Sequence, residues 1–159
     1  VDMYRSTIYP FLTVNFDGVM EVIDQEGKHT YIPNEIKVAT YYGAKHYNKK
    51  KAMFIENVGM FPEPDPNIAI SNNSINSKAE AYGIPPYYYT QIQMEMFFLK
   101  APFGFLTVLF DSEWQMCTFL IHADSKTQNN IILQAMKAWD KVTAKRPIDL
   151  DKIDAEYNA

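Results

Sequence analysis

The run from Val19 to Thr40 constrains this chain more than any other stretch. Val19 to Asp24 (Val-Met-Glu-Val-Ile-Asp) is β-branched and apolar, Gln25-Glu26-Gly27 offers a turn, and Tyr31 to Thr40 returns as a second extended segment. Strand-forming residues on both sides of a short glycine-bearing loop predict a β-hairpin. With Gly27 in the left-handed position of a three-residue loop, Asp24 pairs with Lys28, and continuing the ladder sets Asp17 opposite Glu35. Side chains alternate along a strand, so Glu35 and Lys37 share a face. All three ionisable groups can therefore meet on one side of the hairpin. Pro33 has no amide proton, and in this register it asks for an edge position or an extra bulge.

The rest of the chain builds outward from that hairpin. Residues 9–16 read as an extended approach to Asp17-Gly18. Beyond the hairpin, Lys45 to Val58 predicts a helix carrying the Lys49-Lys50-Lys51 run. Pro62, Pro64 and Pro66 then break structure, and Ser71 to Ser77 reads as a mobile loop. Residues 41–83 look like an insertion within one domain, since they hold too few apolar side chains for a core of their own. Pro86 opens a helix running to about Lys100, with Tyr89, Ile92, Met96 and Leu99 as its apolar stripe. Phe103 to Phe110 and Gln115 to His122 are strand candidates joined by Asp111-Ser112-Glu113. Asp124 or Ser125 can cap a helix through Val142, with Ile132, Met136, Trp139 and Val142 as its buried face. A core over residues 1–145 is followed by an acidic tail, residues 146–159, with a short terminal helix. The order β-β-(insertion)-α-β-β-α predicts an α/β sandwich with a central mixed sheet flanked by helices.

Composition bounds what such a domain can do. At 159 residues and 47% apolar it is one domain with material for a core. A formal charge of −4 means that any nucleic-acid binding must rest on a local basic patch. Lys45, Lys49, Lys50 and Lys51, with His46, form the only dense positive cluster, which reads either as a solvated face or as a contact to phosphates. The single cysteine, Cys117, excludes an internal disulfide framework, fits a reducing compartment, and sits in an apolar run suited to an inert thiol. No stretch approaches the roughly 18 apolar residues of a membrane span, and no signal-peptide pattern opens the chain. His29, His46 and His122 have no zinc-ligand spacing, and there is no Walker loop, GxSxG elbow or CxxC pair.

Three segments taken together resemble the YqaJ-type viral recombinase family, which includes the lambda-type phage exonucleases of the PD-(D/E)XK nuclease superfamily. Tyr9-Pro-Phe-Leu-Thr-Val-Asn-Phe-Asp17-Gly18-Val-Met is similar to the strand that carries the family's motif Asp before a Gly. Asn34-Glu35-Ile36-Lys37 is similar to its Glu-x-Lys, and Ile84 to Gln93 (Ile-Pro-Pro-Tyr-Tyr-Tyr-Thr-Gln-Ile-Gln) to its Pro-x-Tyr-Tyr segment leading into a Gln-x-Gln helix. The resemblance covers roughly residues 9–40 and 84–143. The chain departs from it in the insertion and in having no helix ahead of the Asp17 motif, where the family places another acidic residue.

The resemblance implies a restriction-endonuclease-like fold and a Mg2+- or Mn2+-dependent DNA exonuclease. It further implies 5′→3′ action on duplex DNA ends in a phage-type recombination system, in the cytoplasm of a bacterial or infected cell. It implies a single-strand annealing protein as partner, with a homo-oligomer also open. By the same token Asp17 and Glu35 would be metal ligands, with the carbonyl of Ile36 adding another. Lys37 would orient water or neutralise phosphate charge. Gln91 and Gln93 lie two apart on a helix and point some 200° away from each other, so only one can face the site. Tyr88, Gln91 and Glu95 lie on one flank of the apolar stripe and Gln93 on the other; the resemblance favours Gln91, with Tyr88 one turn back as a DNA contact. Two other readings stay open. By spacing alone Asp17 is a turn residue before Gly18, with Glu35 and Lys37 exposed on the hairpin. Alternatively the chain is a catalytically silent DNA-binding or scaffold module with the nuclease fold. The missing upstream acid also predicts that this chain cleaves weakly without a longer N-terminal segment.

Overall fold

A computed structural model describes residues 3–144. The hairpin forms as expected, from β3 (Gly18–Ile23) and β4 (His29–Ala39). Two short strands precede it, β1 (Met3–Arg5) and β2 (Thr13–Asn15), which pair only with each other. The antiparallel register runs from Gly18↔Asn34 to Ile23↔His29. One further step along it sets Asp17 across from Glu35. The turn is closed by Asp24, whose amide donates to the Lys28 carbonyl at 3.1 Å and whose Oδ1 accepts from the Glu26 and Lys28 amides at 2.9 Å. Gly27 sits at φ 77°, where a side chain would be strained. Pro33 pairs with Val19 without a bulge. The parallel ladder on the other side of β4 starts only at Asn34, so Pro33 lies outside it.

Downstream, β4 runs parallel to β7 (Phe103–Phe110), and β7 pairs antiparallel with β8 (Gln115–His122). Beyond β8 lie β5 (Phe54–Ile55) and β6 (Gly59–Met60). The result is a six-stranded mixed sheet in the order β3-β4-β7-β8-β5-β6. The fold is thus mixed α/β, and the sheet with its helices is consistent with an α/β sandwich. Parallel neighbours need a crossover, and helix α4 (Pro86–Leu99) lies within it, packed across β4 and β7. Pro86 suits the first helical turn because its fixed φ is already helical. Tyr89, Ile92 and Met96 are fully buried, and Leu99 is partly so. Close approach of helix to sheet depends on Gly104, where an added Cβ would lie 3.0 Å from Ile92 and 3.1 Å from Pro33. On the face of β4 away from α4, Ile36 and Val38 are exposed.

The region between hairpin and α4 departs from its sequence reading in two places. Lys45 to Val58 is not a helix. It holds α1 (Tyr41–Ala44) just upstream, a single 3-10 turn at Lys49–Lys51, and then β5, because Phe54 and Ile55 gain ladder partners on β8. Ser71 to Ser77 is not a loop throughout, since α2 (Ile68–Ser71) ends there and α3 (Ile75–Tyr82) begins, capped by the Ser74 side chain on the Ser77 amide at 3.1 Å. Residues 41–83 form no separate core. Ile75, Ala79 and Tyr82 enter the common core, and α3 packs on α4, so these apolar side chains complete a shared core instead of needing their own.

Helix α5 (Ser125–Thr143) is capped by Asp124, but of its expected buried face only Ile132 is buried. Met136, Trp139 and Val142 are exposed, because α5 meets α4 through its first turns and then runs past it; Trp139 keeps one ring partner, Phe11, at 5.6 Å. The acidic tail and its terminal helix, residues 146–159, lie outside the described residues. Among the described residues no helix is long and apolar enough to cross a membrane.

Candidate active site

Asp17, Glu35, Lys37 and Gln91 come together where α4 crosses the start of the β4–β7 pair. Glu35 and Lys37 are two apart on β4 and so point to one face, towards α4. The Lys37 ammonium is paired with Glu35 Oε1 and lies 3.6 Å from Asp17 Oδ2. Asp17 Oδ2 also accepts from the Ile36 amide at 3.1 Å, which fixes it beside the strand end. Ile36 therefore meets the site through its main chain, its side chain being on the opposite face. Burial pulls the Lys37 pKa down, but the hydrogen bond and charge of Glu35 and the charge of Asp17 outweigh it, and the net direction is upward. The ammonium also lies 5.3 Å from the ring centre of Tyr88, itself tilted against Tyr87 and stacked on Tyr47.

From the helix side, Gln91 Nε2 donates to Glu35 Oε1 at 2.5 Å and to Glu95 Oε1 at 3.1 Å. Glu95 was read from sequence only as part of the flank shared by Tyr88 and Gln91. It is one turn after Gln91 and so necessarily on the same side of α4, which is the signal that marks it as a site residue. It is 1% exposed, as is Glu35. Burial, the negative charge of Glu35 and a hydrogen bond shared with Glu35 raise the Glu95 pKa to about 8, against the opposing pull of the Gln91 amide. Oε2 of Glu35 and Oε2 of Glu95 are both buried without a hydrogen-bond partner. Buried polar atoms are rarely left unpaired.

Gln93 is elsewhere. Its Nε2 donates to the His122 carbonyl at 2.8 Å, and its Oε1 accepts from the Asp124 amide at 2.9 Å and from Gln128 at 3.2 Å. The two glutamines thus separate as the helical phase requires, one to the carboxylates and one to the junction of β8 with α5. The lysine cluster also divides. Lys49 Nζ is held by Glu113 at 2.7 Å and Gln115 at 3.2 Å and lies 4.1 Å from the Phe110 ring centre, so it serves the β7–β8 turn. Lys50 and Lys51 are exposed.

The donor set is suited to a hard divalent cation, since it offers carboxylate oxygens and a nearby main chain. As they stand, no three His, Cys, Asp or Glu side chains among the described residues are arranged to hold a metal. The Lys37 ammonium and the Gln91 amide take up Glu35 Oε1, while the outer oxygens remain free. Compared with known proteins, the chain matches no family model, no curated protein and no solved structure.

Proposed function

We propose that this chain is a metal-dependent deoxyribonuclease that hydrolyses phosphodiester bonds of duplex DNA. The observation that carries the reading is the meeting of Asp17, Glu35 and Lys37 with Gln91 around a buried carboxylate that keeps one oxygen free. A carboxylate oxygen buried at 1% exposure without a hydrogen-bond partner is open to a cation. Asp17 and Glu35 would hold Mg2+ or Mn2+, with the Ile36 carbonyl as a main-chain addition. Such a cation supplies Lewis acidity towards the phosphate and activation of water. Lys37, its charge secured by the upward pKa, neutralises charge developing on the phosphate and orients the attacking water. Gln91 offers its amide to the same water or to a phosphate oxygen. Tyr88 borders Lys37 and gives the approaching strand a flat surface, and the exposed Lys50 and Lys51 add backbone contacts. Exonucleolytic 5′→3′ action within a recombination system is carried by the family resemblance.

A second reading has one observation in its favour. Lys37 stands between Asp17 and Glu35, so the ammonium already neutralises the pair, as it would in a silent DNA-binding module. Linear duplex DNA incubated with Mg2+ or Mn2+ separates the two. The nuclease reading expects cleavage that disappears in Asp17→Ala and Glu35→Ala while circular dichroism stays native. Cleavage that survives Asp17→Ala, or DNA binding without any cleavage, defeats it.

A further inference from the structure

A cleft of about 400 Å3 opens where residues 45–48 and the end of α3 meet the start of α4. Its two sides are locked together. The Asn48 amide donates to the Gly83 carbonyl at 2.8 Å, and the backbones approach so closely that a Cβ added at Gly83 would lie 2.8 Å from the Asn48 carbonyl oxygen. Tyr47, on the lining, packs its ring against Phe110 at 5.4 Å and Phe119 at 6.1 Å, which ties the same loop to the core. The cleft is therefore part of the fold, and its volume falls in the range of small-ligand sites.

The lining brings three kinds of chemistry together. Tyr87 is 62% exposed and offers an aromatic ring. Lys45 and His46 are exposed donors, and Glu80 is the one acid on the lining. A ring beside cations is how single-stranded nucleic acid is held, with bases stacked on the ring and phosphates met by the charges. A carboxylate accepts from the exocyclic amino group of a base, which a phosphate does not offer. Inside a duplex the faces of each base are covered by its neighbours, so Tyr87 can stack only on a base that has left the stack. Tyr88 is the wall between this cleft and the candidate site. It is tilted against Tyr87 at 4.2 Å and stacked on Tyr47 at 6.3 Å, and its ring centre lies 5.3 Å from the Lys37 ammonium.

We propose that the cleft holds one unpaired nucleotide of the DNA strand whose neighbouring phosphate meets Lys37, with the base stacked on Tyr87 and Lys45 and His46 on the backbone. The proposal takes DNA as ligand from the deoxyribonuclease reading and narrows the substrate to strands that are single or frayed beside the bond to be cut. Residues 45–48 and 76–83, which supply most of the walls, fall outside the stretches that resemble the exonuclease family.

The full chain in EDTA, where no metal-dependent cleavage occurs, is titrated with fluorescein-labelled oligothymidylate and with a blunt duplex, and binding is read by fluorescence anisotropy. Tyr87→Ala is expected to weaken oligothymidylate at least about fivefold, and Tyr87→Phe, which keeps the ring, to stay within about twofold of the parent. Lys45→Gln is expected to flatten the slope of log affinity against log salt by about 0.7, one single-strand phosphate contact. Tyr4→Ala removes an exposed ring outside the cleft and is expected to change nothing. The blunt duplex is expected to lose less than oligothymidylate in Tyr87→Ala. An unaltered chain that does not bind oligothymidylate, unchanged binding in Tyr87→Ala, or an equal loss in Tyr4→Ala overturns the proposal, and an equal loss on the blunt duplex overturns the unpaired nucleotide. Cleavage is scored separately. Oligothymidylate binding that depends on Tyr87, without any hydrolysis in Mg2+ or Mn2+, leaves the cleft in place and defeats the nuclease reading. Hydrolysis abolished by Asp17→Ala, with oligothymidylate binding indifferent to Tyr87, does the reverse.

Discussion

Two polar clusters lie on opposite flanks of α4, each built on a buried carboxylate and a lysine, and they are finished to different degrees. On the Gln93 flank, Asp124 Oδ2 accepts from Lys78 Nζ, from Thr127 Oγ1 at 2.5 Å and from Tyr89 at 3.4 Å, while Oδ1 accepts from the Lys126 and Thr127 amides. Burial raises the Asp124 pKa, but the bonds from Lys78 and Thr127 outweigh it and the net direction is downward. On the Gln91 flank, Glu35 and Glu95 keep free oxygens and the Glu95 pKa is pushed up to about 8. The saturated cluster clips α3, α4 and α5 together and has nothing left to offer a ligand. The other retains unsatisfied acceptors next to a partly exposed lysine. One helix thus separates a saturated cluster from an open one, and substitutions should sort accordingly.

The largest expected effect is on the saturated side. Asp124→Ala strips Lys78 of its partner and α5 of its cap, and breaking a buried pair in this way costs about 3–5 kcal/mol. Glu35→Gln, on the open side, should cost far less, because it removes a charge that the fold itself leaves incompletely compensated. Urea unfolding of the two variants makes the comparison. Equal losses would mean that the two flanks are structurally equivalent.

Next in size is the glutamine pair. If the proposed chemistry holds, Gln91→Ala should slow DNA cleavage about 100-fold, or ~2.7 kcal/mol in the barrier. Gln93→Ala should instead lower stability by about 1–3 kcal/mol through the donors and acceptors it leaves unpaired, with turnover of the folded fraction near the parent value. Single-turnover assays beside melting curves separate the two. A Gln93→Ala loss in turnover without a loss in Tm would erase the distinction between the flanks.

That distinction could be read from the sequence because helical phase is a local property: Gln91 and Gln93 had to diverge, whatever the tertiary structure. The hairpin register was legible for a similar reason, since Gly27 and the turn length fix the ladder that brings Asp17 opposite Glu35. What stayed hidden depended on distant partners. Phe54 and Ile55 form a strand only because β8 offers an edge, and Ser74 caps a helix whose burial needs α4. Trp139 sits in a helical stripe that would be buried if α5 had, among the described residues, a neighbour along its whole length. Glu95 was visible as a flank residue, but its unpaired Oε2 is a tertiary fact that no spacing reports.

Glu95→Gln probes the open cluster through pH. In the unfolded chain Glu95 titrates near its ordinary value of 4.5, and in the folded one at about 8. Between these pH values the folded state holds the extra proton, so stability falls as pH rises. Below pH 4.5 the penalty is absent, and above about 8 it is complete. Gln cannot ionise, so the variant should gain on the parent chain across this window, by at least ~1.4 kcal/mol, one pKa unit's worth. Metal-free melting curves at pH 5 and pH 8 test it; a gap between parent and variant that does not widen with pH removes the charge conflict from the Gln91 flank.

The smallest effect concerns the lysines, where the contrast between a saturated and an open group recurs within three consecutive residues. Lys49 is engaged by Glu113, Gln115 and the Phe110 ring, while Lys50 and Lys51 face solvent. A phosphate contact releases counterions and lowers the slope of log affinity against log salt by about 0.9 per contact on duplex DNA. Replacing Lys50 and Lys51 together by Gln should therefore flatten that slope by at most about 1.8 and weaken binding without regard to sequence. Lys49→Gln should leave the slope alone and lower Tm slightly, because its charge already answers Glu113 at the β7–β8 turn. Binding measured by fluorescence anisotropy over a range of salt distinguishes the three positions. A slope that moves with Lys49 and not with Lys50 and Lys51 would place the DNA on the sheet edge, reversing which of these lysines is free to meet it.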